Sequence, residues 1–410
     1  LMMAVKYKKP ELLAPAGSLE KLKVAFQYGA DAVYIGGNKY GLRAKAKNFT
    51  EEEMKEGIEF AHAHGVDVYV TCNIFAHHQD FEGMKEYFIY LESIGVDALI
   101  VADPGVFSIA REVVPNMEIH ISTQANNTNY HTALFWAQQG AKRIVTAREL
   151  SFEEVKAMHD NLPEDVDLES FVHGAMCVSY SGRCLLSNYY TGRDSNRGAC
   201  AQPCRWGYHL MEEKRENEFY PIFEDEKGSY ILNAKDLCMI DHIDKLANAG
   251  VNSFKIEGRA KSAYYVSVVT NAYRKAMDIY KQNPDDYQLP QWIHDEVFKV
   301  SHRAYCTGFF FGHPKDCQYY ENSGYIRDYD VVAVVEECRD GRIYAQQRNK
   351  FNRGDKLEVL SPEGKPVSVV AEQIFNENDQ EVETANHAMM RFSMPCDTEF
   401  PRNAIIRMER

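Results

Sequence analysis

Three absences bound this chain before any motif is read. No apolar run approaches the roughly 18 residues needed to span a bilayer as a helix. The opening stretch, with Met2, Met3 and Val5 followed by Lys6, Lys8 and Lys9, has no secretory core of roughly 7 to 15 apolar residues. Basic residues are in deficit, 46 Lys and Arg against 60 Asp and Glu, for a formal net charge of -14. A protein that coats nucleic acid through bulk positive charge is therefore excluded, although a local basic patch is not. The expectation is a cytoplasmic protein with no membrane partner. No G-x-S-x-G elbow is present, and neither His62 with His64 nor His77 with His78 has the i, i+4 spacing of a zinc-protease helix.

What is present has the balance of a chain with a large core. Apolar types make up 45% of the 410 residues and charged types 26%. Short β-branched runs recur, each followed by a stretch with helical spacing: 11–14, 32–35, 66–70, 98–101, 118–121, 143–145 and 169–172, with 253–256 supplying an eighth after a long interruption. Ser18 and Thr50 stand as N-caps, with Gly29 and Gly65 as stops. Eight strand-helix units over about 260 residues predict a (β/α)8 TIM-like barrel in preference to an open doubly wound sheet. From about 325 the pattern changes to short strands broken by turns such as Asp340-Gly341. The expected division is 1–325 for the barrel, with an insertion at 173–250, and 326–410 for a small all-β, barrel-like domain.

The insertion follows a barrel strand, at the end where this architecture keeps its chemistry. It holds Cys177, Cys184, Cys200, Cys204 and Cys238, five of the ten cysteines. A cytosolic chain keeps thiols reduced, which favours metal ligation over disulfides. Spacing alone does not separate zinc from an iron-sulfur cluster, but the only short C-x3-C pair is Cys200 with Cys204, and the long irregular gaps lean towards iron-sulfur. Arg183, Arg193, Arg197 and Arg205 lie among these thiols, suited to offset their negative charge or to hold an anionic substrate.

Polar residues also fall at the expected C-terminal strand ends: Asn73, Asp103, Gln124 with Asn126, Arg148, His173, and Glu257 with Arg259. Of these, Glu257, Arg259, His173 and Gln124 are the catalytic candidates. His173 lies four positions before Cys177, which admits a thiol-imidazole pair. Tyr189, Tyr190 and Trp206 are candidates for base stacking. Arg348, Lys350, Arg353 and Lys356 form a modest basic stripe in the last domain.

Three stretches, "ELLAPAGSLEKLKVAFQYGADAVYIGG", "ESFVHGAMCVSYSGRCLLSNYYTGRDSNRGACAQPCRW" and "FKIEGRAKSAYY", make the chain resemble the collagenase-like peptidases of the unassigned-mechanism (U) class along nearly its whole length. Within that family it looks most like the branch acting in tRNA hydroxylation, which helps to make wobble 5-hydroxyuridine. The resemblance implies a 4Fe-4S cluster on Cys177, Cys184, Cys200 and Cys238, with Cys204 as an alternative ligand. It also implies prephenate as co-substrate, tRNA as partner, and a homologous subunit as a further possible partner. A carboxylate such as prephenate's suits the fork of Arg259. Two other readings stay open: a collagenase-like peptidase, and a non-catalytic iron-sulfur scaffold or hydroxylation subunit.

Overall fold

The computed structural model describes residues 10–41, 48–176, 184, 186–193, 200–203, 209–210, 220–221, 233–312, 318–319, 325–387 and 389–410. Cys177 and Cys204 lie outside them, as do Arg183, Arg197, Arg205 and Trp206.

The strands β1 (Glu11–Pro15), β2 (Ala32–Ile35), β3 (Asp67–Cys72), β4 (Ala98–Val101), β5 (Glu118–Ile121), β6 (Arg143–Val145), β7 (Asp167–Ala175) and β8 (Ser253–Ile256) pair in parallel and in order. β8 pairs with both β7 and β1, which closes the barrel. The expected TIM-like architecture is what the chain adopts. The N-caps read from sequence also hold. Ser18 Oγ accepts from the Lys21 amide, and Thr50 forms a reciprocal capping box with Glu53.

The interruption is narrower than the expected 173–250. β7 keeps its ladder to Ala175, and the helix Ile243–Asn248 supplies the barrel's own crossover into β8. A short strand, Asp236–Cys238, folds back antiparallel on β7, opposing Cys238 to His173. At the rim, β7 and β8 slip register between Lys255 and Ile256, an irregularity of the kind that re-aims side chains beside functional sites.

The C-terminal region is an eight-stranded antiparallel sheet built around the long strand Tyr329–Arg339, with its own core of residues such as Val332, Ile343, Phe351, Phe392 and Ile406. It docks against the barrel through Tyr28, whose hydroxyl donates to the carbonyls of Leu360 (3.2 Å) and Asn403 (3.1 Å). The docking also buries an ion cluster. Arg407, fully buried, reaches Glu296 of the barrel at 2.7 Å and Glu358 of the sheet, and Lys299 bonds Glu358 at 3.0 Å. Removing one member of such a cluster strands the others without compensation in a low dielectric. Arg407→Met is therefore expected to cost about 3–5 kcal/mol in chemical denaturation, whereas a loss within the few tenths typical of an exposed pair would contradict this role.

Candidate functional site

The barrel's N-terminal end is closed by charge. Glu11 at the start of β1 accepts from Arg143 Nη1 (2.7 Å), Tyr69 Oη (2.6 Å) and Ser253 Oγ (2.8 Å). Glu169 in β7 has a fully buried carboxylate, with one oxygen 3.3 Å from Arg143 Nη1 and the other 2.5 Å from Lys255 Nζ. Burial works against its charge, but Lys255 and Arg143 outweigh it and hold the carboxyl below its usual range. Lys255 stands over the rings of Tyr34 (4.7 Å) and Phe171 (5.3 Å). The ammonium group is thus the top of the closing network and a wall of the space above it.

That space is a cavity of about 1300 Å³ at the C-terminal strand ends. Its lining comes from barrel strand ends, the barrel helices Leu19–Gln27 and Ala263–Gln282, the cysteine-bearing insertion, and the C-terminal domain, which contributes Tyr329, Val331, Arg348 and Asn349. Among the residues expected from sequence, Asn73, Gln124, Arg148, Glu257 and Arg259 are brought together on its wall.

Each has a defined support. The guanidinium of Arg148 donates to Ala175 O (2.6 Å) and Glu257 Oε2 (3.2 Å), and stacks over Phe171 at 3.9 Å. Asn73 Nδ2 donates to Ser122 Oγ at 3.2 Å. Arg259, only 5% exposed, donates from Nη1 to Thr71 Oγ1 at 2.7 Å. The slot it occupies exists because two neighbours lack a side chain. A Cβ on Gly36 would stand 2.2 Å from Arg259 Nη1, and one on Gly17 would stand 2.1 Å from the Arg259 carbonyl oxygen.

Other candidates are placed elsewhere. Asp103 caps the helix Pro104–Val113 through the amides of Gly105 and Val106, and Asn126 takes a left-handed backbone at the end of a 3-10 turn. His173 is 1% exposed and does not line the cavity. Its ring is hydrogen-bonded to Tyr305 Oη (3.3 Å) and Tyr273 Oη (3.4 Å). Burial pushes the imidazole down to about 3, with His302 and Lys261 adding to the effect, which makes it a poor base at neutral pH. Tyr190 is exposed on the short helix Leu186–Thr191 and does not line the cavity, while nothing is described of the Tyr189 side chain. Of the basic stripe only Arg348 reaches the cavity; Arg353 pairs instead with Glu381 and Glu383.

The described thiols divide in two. Cys184 and Cys200 line the cavity, and Cys200 Sγ accepts the Gln202 amide at 3.3 Å, the kind of contact that stabilises a ligated sulfur. Met176, which immediately precedes Cys177, lines the same wall. Cys238 ends the strand laid against β7, and burial pushes its thiol up to about 12. Among the described residues no group of three His, Cys, Asp or Glu converges as a complete metal site. The donor type of Cys184 and Cys200 and their shared wall fit a thiolate-bound group, and Cys177 and Cys204 lie outside the described residues.

Comparison with known proteins places this geometry in a lineage. The model of Peptidase family U32 matches residues 17–319, and that of the Peptidase family U32 C-terminal domain matches 327–407. The chain belongs to peptidase family U32. It is 42% identical to a tRNA hydroxylation protein P1 of Bacillus subtilis over 97% of this chain and 94% of that one. It is 43% identical to an uncharacterized protease of Methanocaldococcus jannaschii, over 73% of each chain. A 23S rRNA 5-hydroxycytidine synthase of Escherichia coli is 39% identical, over 87% of this chain and 53% of that longer one.

Sequence reading missed Lys255, Thr71, Ser122 and Glu169, although a signal was present: charged or hydroxyl residues inside apolar strand runs face a barrel interior and need partners there. The Arg259 slot yields a test by double-mutant cycle. Gly36→Ala is expected to lower stability by about 1–3 kcal/mol through overpacking. In the Arg259→Ala background the same change loses much of that cost, because the clashing group is gone. Strict additivity in denaturant titrations would contradict the slot.

Proposed function

We propose that this member of family U32 modifies RNA, hydroxylating the wobble uridine of tRNA at C5. The observation that carries the reading is the convergence, on one cavity wall, of two insertion thiols, Cys184 and Cys200, with the cations Arg148, Lys255 and Arg259. Relatives described as acting in tRNA hydroxylation and in 5-hydroxycytidine synthesis support RNA as the substrate class.

Chemistry at C5 needs the base out of its stack, and a cavity of about 1300 Å³ has room for an extruded nucleoside beside a small co-substrate. In this proposal Cys177, Cys184, Cys200 and Cys238 hold a 4Fe-4S cluster, with Cys204 as the alternative fourth ligand. When bound, the cluster supplies one-electron redox chemistry.

The rest belongs to the chain's own side chains. Arg259, held by Thr71 on the cavity wall, is a guanidinium of the kind that pairs with carboxylates, which supports prephenate as the co-substrate. Lys255 adds positive charge deeper in the cavity, its ammonium group fixed by Glu169. Glu257 is tied to Arg148 and is the one carboxylate among these groups, available to hold a proton near the base. The apolar wall of Ile100, Val145 and Met176 keeps bulk water from the reacting face. Arg348 and Arg327, at the sheet side of the opening, are exposed and suited to phosphate contacts that orient the anticodon loop.

The test is nucleoside analysis of tRNA from cells that lack their own hydroxylation protein and express this chain or its Cys184→Ala variant. Wobble 5-hydroxyuridine restored by the chain and lost in the variant, together with loss of about four irons per chain in anaerobically purified protein, is the expected result. Unmodified tRNA in both strains would overturn the reading, and gelatin cleavage by iron-free protein would replace it with the peptidase one.

A further inference from the structure

The cavity does not end at the barrel strand ends. It continues as a groove between the barrel and the C-terminal domain, walled by Leu19, Val24 and Tyr264 from the first and by Tyr329, Val331 and Ile405 from the second. The chemistry proposed at C5 makes no use of this part. Tyr329 opens the strand Tyr329–Arg339 and is half-buried, and Val331 comes two positions later, so both side chains stand on one face of the sheet.

The ring of Tyr329 is backed by cations. Lys299 Nζ lies 5.3 Å from its centre and Arg407 Cζ 5.5 Å. Lys299 Nζ also lies 3.0 Å from Glu358 Oε2, the same oxygen that Arg407 Nη2 contacts at 2.5 Å. Two cations joined through one oxygen cannot straddle a ring that stands this far from each, so they share one of its faces. Arg407 is fully buried, which makes that face the inner one. The opposite face of the ring is the one that lines the groove.

The surroundings are basic in an acidic chain. Seven of the residues lining the cavity are Lys or Arg and two are Glu, against a net charge of -14 for the whole protein. Two of the seven flank the groove and are exposed: Arg327, two positions before Tyr329 and held by Asp330 at 2.7 Å, and Arg348, whose amide donates to Val332 O at 2.7 Å. An open aromatic face beside such cations suits an unpaired nucleotide, whose base stacks while its phosphate meets the charge. A paired base has both faces covered inside its helix, so the groove discriminates against duplex.

We infer that the groove holds a second nucleotide of the anticodon loop, next to the one that enters the barrel, with its base stacked on Tyr329 and its phosphate at Arg327 and Arg348. The inference rests on the RNA reading above and goes further, by giving the C-terminal domain the task of keeping the loop open while the target base is out of its stack.

Cross-linking reads this contact on the unaltered protein. Anticodon stem–loops with 5-iodouridine in place of either nucleotide flanking the wobble position are irradiated with the full-length chain, and the adducts are mapped by mass spectrometry. An adduct on Tyr329 is expected from one of the two. In titrations of a fluorescent loop, Tyr329→Phe is expected to keep the wild-type affinity within about twofold, and Tyr329→Leu, which fills the space without a π face, to lose about 10-fold. An abasic site at the cross-linking position costs the wild type a similar factor and costs Tyr329→Leu nothing further. A variant that had merely misfolded would lose the abasic loop as well. Tight binding with no adduct on Tyr329, or wild-type affinity in Tyr329→Leu, would overturn the inference while leaving the RNA reading intact. No binding of any loop, or of unmodified tRNA, by the wild type would overturn that reading and this inference with it.

Discussion

The Glu169 carboxylate, fully buried near the N-terminal end of β7, is the contact on which both ends of this barrel depend. One oxygen faces Arg143 and, through it, Glu11, so that β1, β6 and β7 are joined across the N-terminal end. The other oxygen holds Lys255 of β8. A lone carboxylate taken this far from water would protonate; here two cations keep it charged. The same charge fixes the ammonium group that lines the cavity. Stability at one end and electrostatics at the other are thus set by a single side chain, so substitutions at Glu169 cannot be read as affecting only one of them.

Above this floor the cavity is assembled from parts that lie far apart in the chain. The barrel contributes strand-end groups on a rigid frame, with Arg259 held in a slot made by Gly17 and Gly36. The insertion brings Cys184 and Cys200, and the C-terminal sheet brings Arg348 and Asn349. The sheet can contribute to a site on the barrel because the Arg407 cluster and Tyr28 tie the two units together. Under the proposed function a small basic surface on an acidic protein is enough, since such a site orients one loop of RNA and does not coat a duplex.

Much of this was legible in the sequence. The strand-helix period fixed the barrel because eight buried strands repeat one signal, and the caps at Ser18 and Thr50 obeyed local chemistry. Asn73, Gln124, Arg148, Glu257 and Arg259 were found by their position after strands, where the fold puts ligand-facing groups. Asp103 and Asn126 share that position but serve a helix cap and a turn. His173 is buried away from the cavity, beneath the strand Asp236–Cys238 that folds back on β7, a long-range event with no local signature. Lys255 and Glu169 were passed over because a strand rich in apolar residues hides its charged members. Their pairing across 86 positions shows only in three dimensions.

The central claim is that one cavity at the C-terminal strand ends, with walls from all three parts of the chain, receives the RNA. Hydrogen-deuterium exchange on the full-length protein with and without tRNA tests it most directly. The account predicts slowed exchange around 73, 122–126, 148 and 257–261 and at 348–349, with the Glu11 and Arg143 end unchanged. Protection confined to the outer helices, or to the far edge of the C-terminal sheet, would contradict it.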